Sequence, residues 1–383
     1  MREVFIAGVG LHKFGRFPHK TFEEIGQEAV KNAVNNANLD WKDVQIAFCG
    51  TMHGGTAAGQ RVLAHMGLTG IPIINVETAC ASGGTAFKLA LMSVESGEYD
   101  IALAFGVEKL GSGFLHMTSY PKWEHLSGLG IPPVQLALRA TRYMIDYGAK
   151  PEHFAKVVVK DRKYGALNPN ALHQKATSIE RILQAKMVVY PFTVLMLASP
   201  CEGAAAAIVT TEEIAKKSNF KPIRIAACCH GVARYGTDFC GMNAGFETDS
   251  TKIRNPEVTT ILSKQAYEIA GIGPEDIDIL EINDNTAFAE INLLEEMGFC
   301  PEGEGIRMIE EGATEIGGKV AVSTSGGLIS MGEPVGAVGL AQIFEVVQQL
   351  RGQSGQRQVP DARTGMCQAA GSGGNCVITI LKI

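Results

Sequence analysis

The chain has 383 residues, 46% of them hydrophobic and 19% charged, with 44 glycines and a formal net charge of −6. This composition excludes disorder and suits tightly packed α/β layers, arranged as two or three domains or as one large duplicated unit. An acidic balance without a basic stripe argues against nucleic acid as a partner, and no apolar run reaches the ~20 residues of a membrane-spanning helix.

The start, MREVFIAGVG, reads as a β-strand and lacks the apolar core of a signal peptide. The nine cysteines lack framework spacing, so they are expected to be reduced thiols in a cytoplasmic protein. Thr21 and Glu24 form a capping-box pattern, and Phe22, Ile25, Ala29, Val30, Ala33, Val34 and Ala37 recur at helical spacing. NANLDWKDVQIAFCG is a turn running into a second strand, with His53 in the loop beyond it. IPIINV is a further strand. It leads through Glu77, Thr78 and Ala79 to Cys80, and a helix rich in Ala and Leu opens after Gly83 and Gly84.

Between roughly Gly111 and Ser199 the pattern changes. This region holds the aromatic and His-containing loop FLHMTSYPKWEHLSG and an amphipathic stretch around Leu136 to Tyr147, and it reads as an insertion covering a site. PCEGAAAAIVTT then reads as a strand returning to the first half. Farther on, IRIAACC is strand-like, where successive side chains face opposite ways. Cys228, Cys229 and His230 are therefore read as buried small residues and a neighbour, and no metal site is expected in this chain.

The later stretch LSKQAYEIAGIGPEDIDILEIND repeats the first helix–turn–strand order. Ala33, Ala37, Leu39, Asp43, Val44 and Ile46 align at a constant offset with Ala266, Ala270, Ile272, Asp276, Ile277 and Ile279. TACASGGTAFKLALMSVESG is matched in the same order by MGEPVGAVGLAQIFEVVQQLRG, so Cys80 and Glu333 each sit where a helix begins. Two ordered matches predict duplicated α/β halves with mostly parallel sheets. A thiol at a helix start feels the positive end of the dipole and free backbone N–H groups, which favours the reactive thiolate. Small neighbours leave room for a bulky thioester.

Thr78-Ala79-Cys80-Ala81-Ser82-Gly83-Gly84 resembles the nucleophile motif of thiolases, and DIALAFGVEKL resembles the strand that follows it. STSGGLISMGEPVGAVG is similar to the family's Gly-Gly-x-x-x-x-Gly-His-Pro segment, and QAAGSGGNCVITIL to its last glycine-rich loop and strand. RYMIDYGAKPEHFAKVVVKDRKYGALNPNA and PCEGAAAAIV bring the resemblance, which runs nearly end to end, nearest the sterol-carrier-protein-type branch. It implies duplicated βαβαβαββ halves in αβαβα layers with an inserted loop domain. The expected division is 1–112 plus 200–215, the insertion 113–199, and 216–383. It also implies a homodimer core and coenzyme A as co-substrate. Cys80 would attack a 3-oxoacyl-CoA or accept an acyl group, beside oxyanion holes built from backbone amides and a polar side chain. Gly326, Gly327, Gly371 and Gly373 are the implied glycine-loop contacts to the cofactor, and Lys122, Lys160 and Arg162 are candidates for its phosphates.

The sequence departs from that pattern at informative places. The family's Gly-His-Pro histidine is Glu333 here, and no histidine follows His230. A carboxylate can act as a base, but when ionised it repels a thiolate, so Glu333 needs a raised pKa if it is to serve. The last loop reads Cys367-Gln368-Ala369 where a Cys-x-Gly is usual, leaving Cys367 as a candidate second acid/base and Gln368 as an alternative. In Glu281-Ile282-Asn283-Asp284-Asn285-Thr286-Ala287-Phe288, anchoring on the strand selects Asn283 and Asp284, while anchoring on Ala287-Phe288 selects Asn285. The missing histidine suggests an atypical substrate. Similar enzymes include benzoylsuccinyl-CoA thiolases, which pair with a small zinc-binding OB-fold subunit. Thiolase-like aldolases, which work without the cysteine, are the competing expectation.

Overall fold

The computed structural model describes residues 2–111, 113, 122–218, 220–234 and 257–383. The first half is built on β1 (Val4–Gly15), β2 (Ile46–Gly50), β3 (Ile73–Val76) and β4 (Ile101–Lys109). A short hairpin of β5 (Met187–Val189) and β6 (Phe192–Thr193) follows in the insertion. β7 (Glu202–Thr211) then returns to pair antiparallel with both β1 and β4, as PCEGAAAAIVTT predicted. The second half comprises β8 (Ile223–Gly231), β9 (Ile279–Glu281), β10 (Ala321–Val322), β11 (Thr364–Gly371) and β12 (Asn375–Lys382).

The strand order demonstrates the duplication. The first half runs β3-β2-β4-β7-β1 and the second β10-β9-β11-β12-β8. In each, the first three strands are parallel neighbours and the last two pair antiparallel. The two five-stranded sheets meet edge to edge through β1 and β8, at Phe5–Arg224 and Ile6–Ile223, so ten strands form one continuous ladder.

Between the sheets lie the helices Ser82–Glu95 and Val338–Leu350, the two that the sequence matched to each other. They touch through small residues: a Cβ added to Gly339 would lie 2.7 Å from the Gly84 nitrogen. The helices Phe22–Asn36 and Val258–Ala270 cover the outer faces. Phe22–Asn36 has the expected capping box, Thr21 Oγ1 accepting from the Glu24 N–H and Glu24 from the Thr21 N–H. It lies so close to β1 that a Cβ on Gly10 would stand 2.1 Å from the Ala29 carbonyl oxygen, and only glycine tolerates that approach. Cys228 and Cys229 on β8 belong to different hydrophobic cores, as strand alternation requires, and His230 is exposed.

The insertion contributes the helices Lys122–Ser127, Pro132–Tyr147, Pro151–Leu167 and Ile179–Leu183. The loop stretch FLHMTSY lies outside the described residues. Among the described residues, no helix is long and apolar enough to cross a membrane.

Candidate active site

The segments that lead into both central helices meet in one pocket at the carboxyl ends of the parallel strands. That is the usual place for ligands in α/β sheets, where loops from several strands converge. The pocket has a volume of ≈180 Å³ and contains Cys80, Glu333, Asn283, Asn285, Gln368 and Gly371. Its outer wall is largely apolar, from Pro132 and Leu136 of the insertion, Leu197, and Phe288 and Leu293 of the helix Ala287–Glu296, with the Arg139–Glu296 ion pair also on the lining.

Cys80 is set by a tight turn. Ala79 takes a left-handed φ of 52°, which costs a non-glycine residue energy and marks a constrained site. The turn is locked by Thr78 N–H donating to Ser82 Oγ (2.9 Å) and Ser82 Oγ donating to the Ala79 carbonyl (2.5 Å). From the other half, Gly371 closes on it: a Cβ there would lie 2.3 Å from the Thr78 oxygen and 3.1 Å from the Cys80 nitrogen.

The expectation of a resting thiolate at a helix start requires correction. The Ser82–Glu95 helix begins two residues later, and the Ala81 and Ser82 N–H groups donate to the Thr78 and Ala79 carbonyls, not to the thiol. Burial, with Glu333 and then Glu108 as nearby negative charges, pushes the Cys80 thiol well above its ordinary value. At rest it is protonated.

Glu333 has the raised pKa that its position demands. Burial, with Asp284 as a secondary cause, pushes it up to about 8. Its backbone is fixed: Glu333 N–H donates to the Ser199 carbonyl (2.9 Å) and Glu333 pairs with Pro200 in a short parallel bridge. Asn283 and Asn285 both line the pocket, so the two anchorings of that motif converge on one place. The Asn283 N–H donates to Gln368 Oε1 (3.0 Å), and its side-chain oxygen is buried without a partner among the described residues. Gln368 is held in turn by Gln342, whose Nε2 donates to its carbonyl (2.9 Å).

Other candidates stand apart from the pocket. Cys367 alternates with Gln368 on β11, so it faces the apolar core, where burial raises its thiol well above the ordinary value. Asp284 lies behind Asn283, accepting from the Leu328 N–H (2.8 Å), and burial pushes it up to about 7. Gly327 packs on the Asp284 carboxylate and Gly326 on Gly165, while Gly371 lines the pocket and Gly373 does not. Lys160 is buried in an ion pair with Glu290, Arg162 lines a different recess, and Lys122 opens an exposed helix. The His53 side chain is exposed away from the pocket.

One carboxylate that the sequence reading did not single out links the halves behind Cys80. Buried Glu108 accepts from the Met52 N–H (2.9 Å), the His53 N–H (3.0 Å) and the Gly336 N–H (3.2 Å). An acid ending the apolar run IALAFGV was the available signal.

The fold places the chain among proteins of the thiolase class. The thiolase N-terminal domain model matches residues 4–128 and the thiolase C-terminal domain-like model residues 249–382, and the chain belongs to the thiolase family. It is 37% identical to the benzoylsuccinyl-CoA thiolase subunit BbsB of Thauera aromatica, over 97% of this chain and 95% of that protein. It is 34% identical to sterol carrier protein 2 of Bos taurus, over 99% of this chain and 72% of that protein. Among solved structures, the Ltp2-ChsH2(DUF35) aldolase superposes with a TM-score of 0.87 at 26% identity, covering 99% of this chain and 97% of that one.

Proposed function

We propose that this chain is a coenzyme A-dependent thiolase that cleaves or forms a 3-oxoacyl-CoA through an acyl-Cys80 intermediate. The observation that carries the reading is the pairing, in one pocket, of a constrained Cys80 with a Glu333 whose pKa stands near 8. A carboxylate of ordinary pKa is too weak a base for a thiol; one near 8 is well matched to neutral solution.

In the cleavage direction, Glu333 carboxylate takes the Cys80 proton and the sulfur attacks the 3-oxo carbonyl. The charge that passes from Glu333 to substrate oxygen calls for hydrogen-bond donors, and the side-chain amide N–H of Asn283, which lines the pocket, is assigned that role here. The bond between the 3-oxo carbon and its α-carbon breaks, leaving acyl-Cys80 and a shortened CoA enolate. Glu333, now carrying the proton, returns it to the enolate carbon. A second CoA thiol, deprotonated by Glu333, then attacks the acyl-Cys80 thioester and Cys80 leaves with the proton. One carboxyl group thus serves each proton transfer, which fits the placement of Cys367 outside the pocket.

The apolar wall suits a bulky aromatic or branched acyl group, such as a benzoylsuccinyl-like chain. A partner subunit, of the small zinc-binding OB-fold type, is part of this proposal. It draws on the subunit named in one relative and the DUF35 component named in the aldolase. The insertion also exposes Leu138 and Ile145, seven residues apart on the helix Pro132–Tyr147 and 59% and 70% accessible, apolar side chains that a partner would cover. A homodimer core fits the edge strand β3, where Ile74 is exposed.

The test is mass spectrometry of the protein after exposure to a 3-oxoacyl-CoA. An acyl adduct on Cys80, absent in Cys80→Ala, is expected. An active Cys80→Ala variant that releases a ketone without free CoA would replace this reading by a retro-aldol lyase, the activity named for the superposed structure. Zinc co-purifying in a small second chain is the expected sign of the partner.

A further inference from the structure

A second recess, of ≈800 Å³, is lined by Leu195, a few residues from the Leu197, Ala198 and Pro200 that line the catalytic pocket, and shares no lining residue with it. Lys13, Arg16, Arg162, Lys175 and Arg181 line it, and among the described residues no Asp or Glu does. In a chain of net charge −6, five cations converging without an acid is a marked local excess.

Elsewhere the described cations are commonly paired. Lys20, Arg61, Lys109 and Lys163, for example, each face a carboxylate within 3.0 Å. In the recess, the side chains of Lys13, Arg162, Lys175 and Arg181 form no hydrogen bond or ion pair among the described residues. Arg16 is held only by main-chain carbonyls, those of Leu110, Gly111 and Pro200. Arg162 is the strongest indication. It is only 8% exposed and lines this cavity, yet among the described residues its side chain makes no hydrogen bond or ion pair, the neighbouring Asp161 acting only through longer-range attraction. Burying a cation without a hydrogen-bonded counter-ion is costly, so a buried arginine that lines a roomy cavity and donates to no carboxylate marks a place where an anion belongs.

We propose that this recess is a binding site for a phosphate-class polyanion, with Arg162 at its floor and Lys13, Lys175 and Arg181 around its mouth. Arginine's planar fork suits two phosphate oxygens at once, and the lysines supply mobile point charges to the remainder. The same chemistry is offered by a free diphosphate and by the phosphorylated end of a coenzyme A molecule. The site is distinct from the acyl pocket whichever occupies it.

Isothermal titration of the full chain with inorganic pyrophosphate tests the proposal. We expect saturable binding that weakens as salt rises and falls at least tenfold in Arg162→Gln. Because Arg162 is buried, the exposed variants Lys175→Gln and Arg181→Gln keep the test valid if that protein folds poorly, and each should also weaken binding. Repeating the titration in saturating coenzyme A separates the sources. Loss of the pyrophosphate signal assigns the recess to the cofactor's phosphates, and its retention assigns it to a free anion. Absence of binding to the unmodified chain, or binding equally strong in all three variants, overturns the proposal.

Discussion

Gly371 and Cys80 face each other backbone to backbone across the junction of the two halves, so close that a single methyl group on Gly371 would stand 3.1 Å from the Cys80 nitrogen and 2.3 Å from the Thr78 oxygen. The nucleophile's turn therefore owes its shape to a strand from the opposite half. Gly371→Ala should displace that turn. We expect a stability loss of about 1–3 kcal/mol from overpacking, together with a much larger proportional fall in acyl-Cys80 formation. Thermal melting and mass spectrometry on the same sample would check both.

Glu333→Gln should keep the volume and fold but remove the base. Turnover should drop by about 10²–10⁴-fold, the usual worth of a general base. The pH profile is the sharper readout. Below about 8, Glu333 is protonated and cannot accept the Cys80 proton, so acylation in the unmodified protein should rise as pH climbs through that value. In the glutamine variant this rising limb should vanish.

The folded chain should lose stability as pH rises from about 5 to about 8. Burial raises Glu281 and Glu333 to about 8 and Asp284 to about 7, against ordinary values of 4.5, 4.5 and 3.8. Over that window the folded state holds protons that the unfolded chain has released. Their contribution is fully present below the unfolded values and lost as pH rises through the folded ones. Melting temperatures across the window should decline, and Glu333→Gln should flatten part of the slope.

Lys160→Met should be among the most damaging changes outside the pocket. Lys160 is buried, paired with Glu290, and 3.8 Å from Asp161, whose oxygens have no hydrogen-bond partner. Removing the ammonium strands two buried carboxyl groups, at a cost of about 3–5 kcal/mol. Chemical denaturation would measure it, and Lys160→Arg should restore only part of the loss because the cavity is shaped for a narrower group.

Periodic features were legible in the sequence. The duplication showed because core-facing positions recur in order in both halves, and Cys80 showed because small residues crowd a helix start. Side-chain direction and long-range pairing were harder to read. Cys367 and Gln368 are neighbours, and which one reaches the pocket depends on the face that β11 turns toward it between β9 and β12. Local sequence carries no mark of that parity. Lys160 and Glu290 are far apart in the chain, as are Glu108 and Gly336, and only the closed fold brings them together. The state of the Cys80 thiol differs from what its place in the sequence implies, because helix position is local, whereas burial and the charges of Glu333 and Glu108 come from elements brought in by folding.

The matched strand orders mean that Cys80 and Glu333 occupy related places in two copies of one structural unit. A symmetric arrangement would present the same residue twice at the junction. Here the copies have diverged into complementary roles, one offering a sulfur and the other a carboxyl group, so neither half holds a complete set of reacting groups. On the proposed mechanism, catalytic competence is thus a property of the seam, and a chain whose halves fold correctly but dock imperfectly would be stable, well formed and inert.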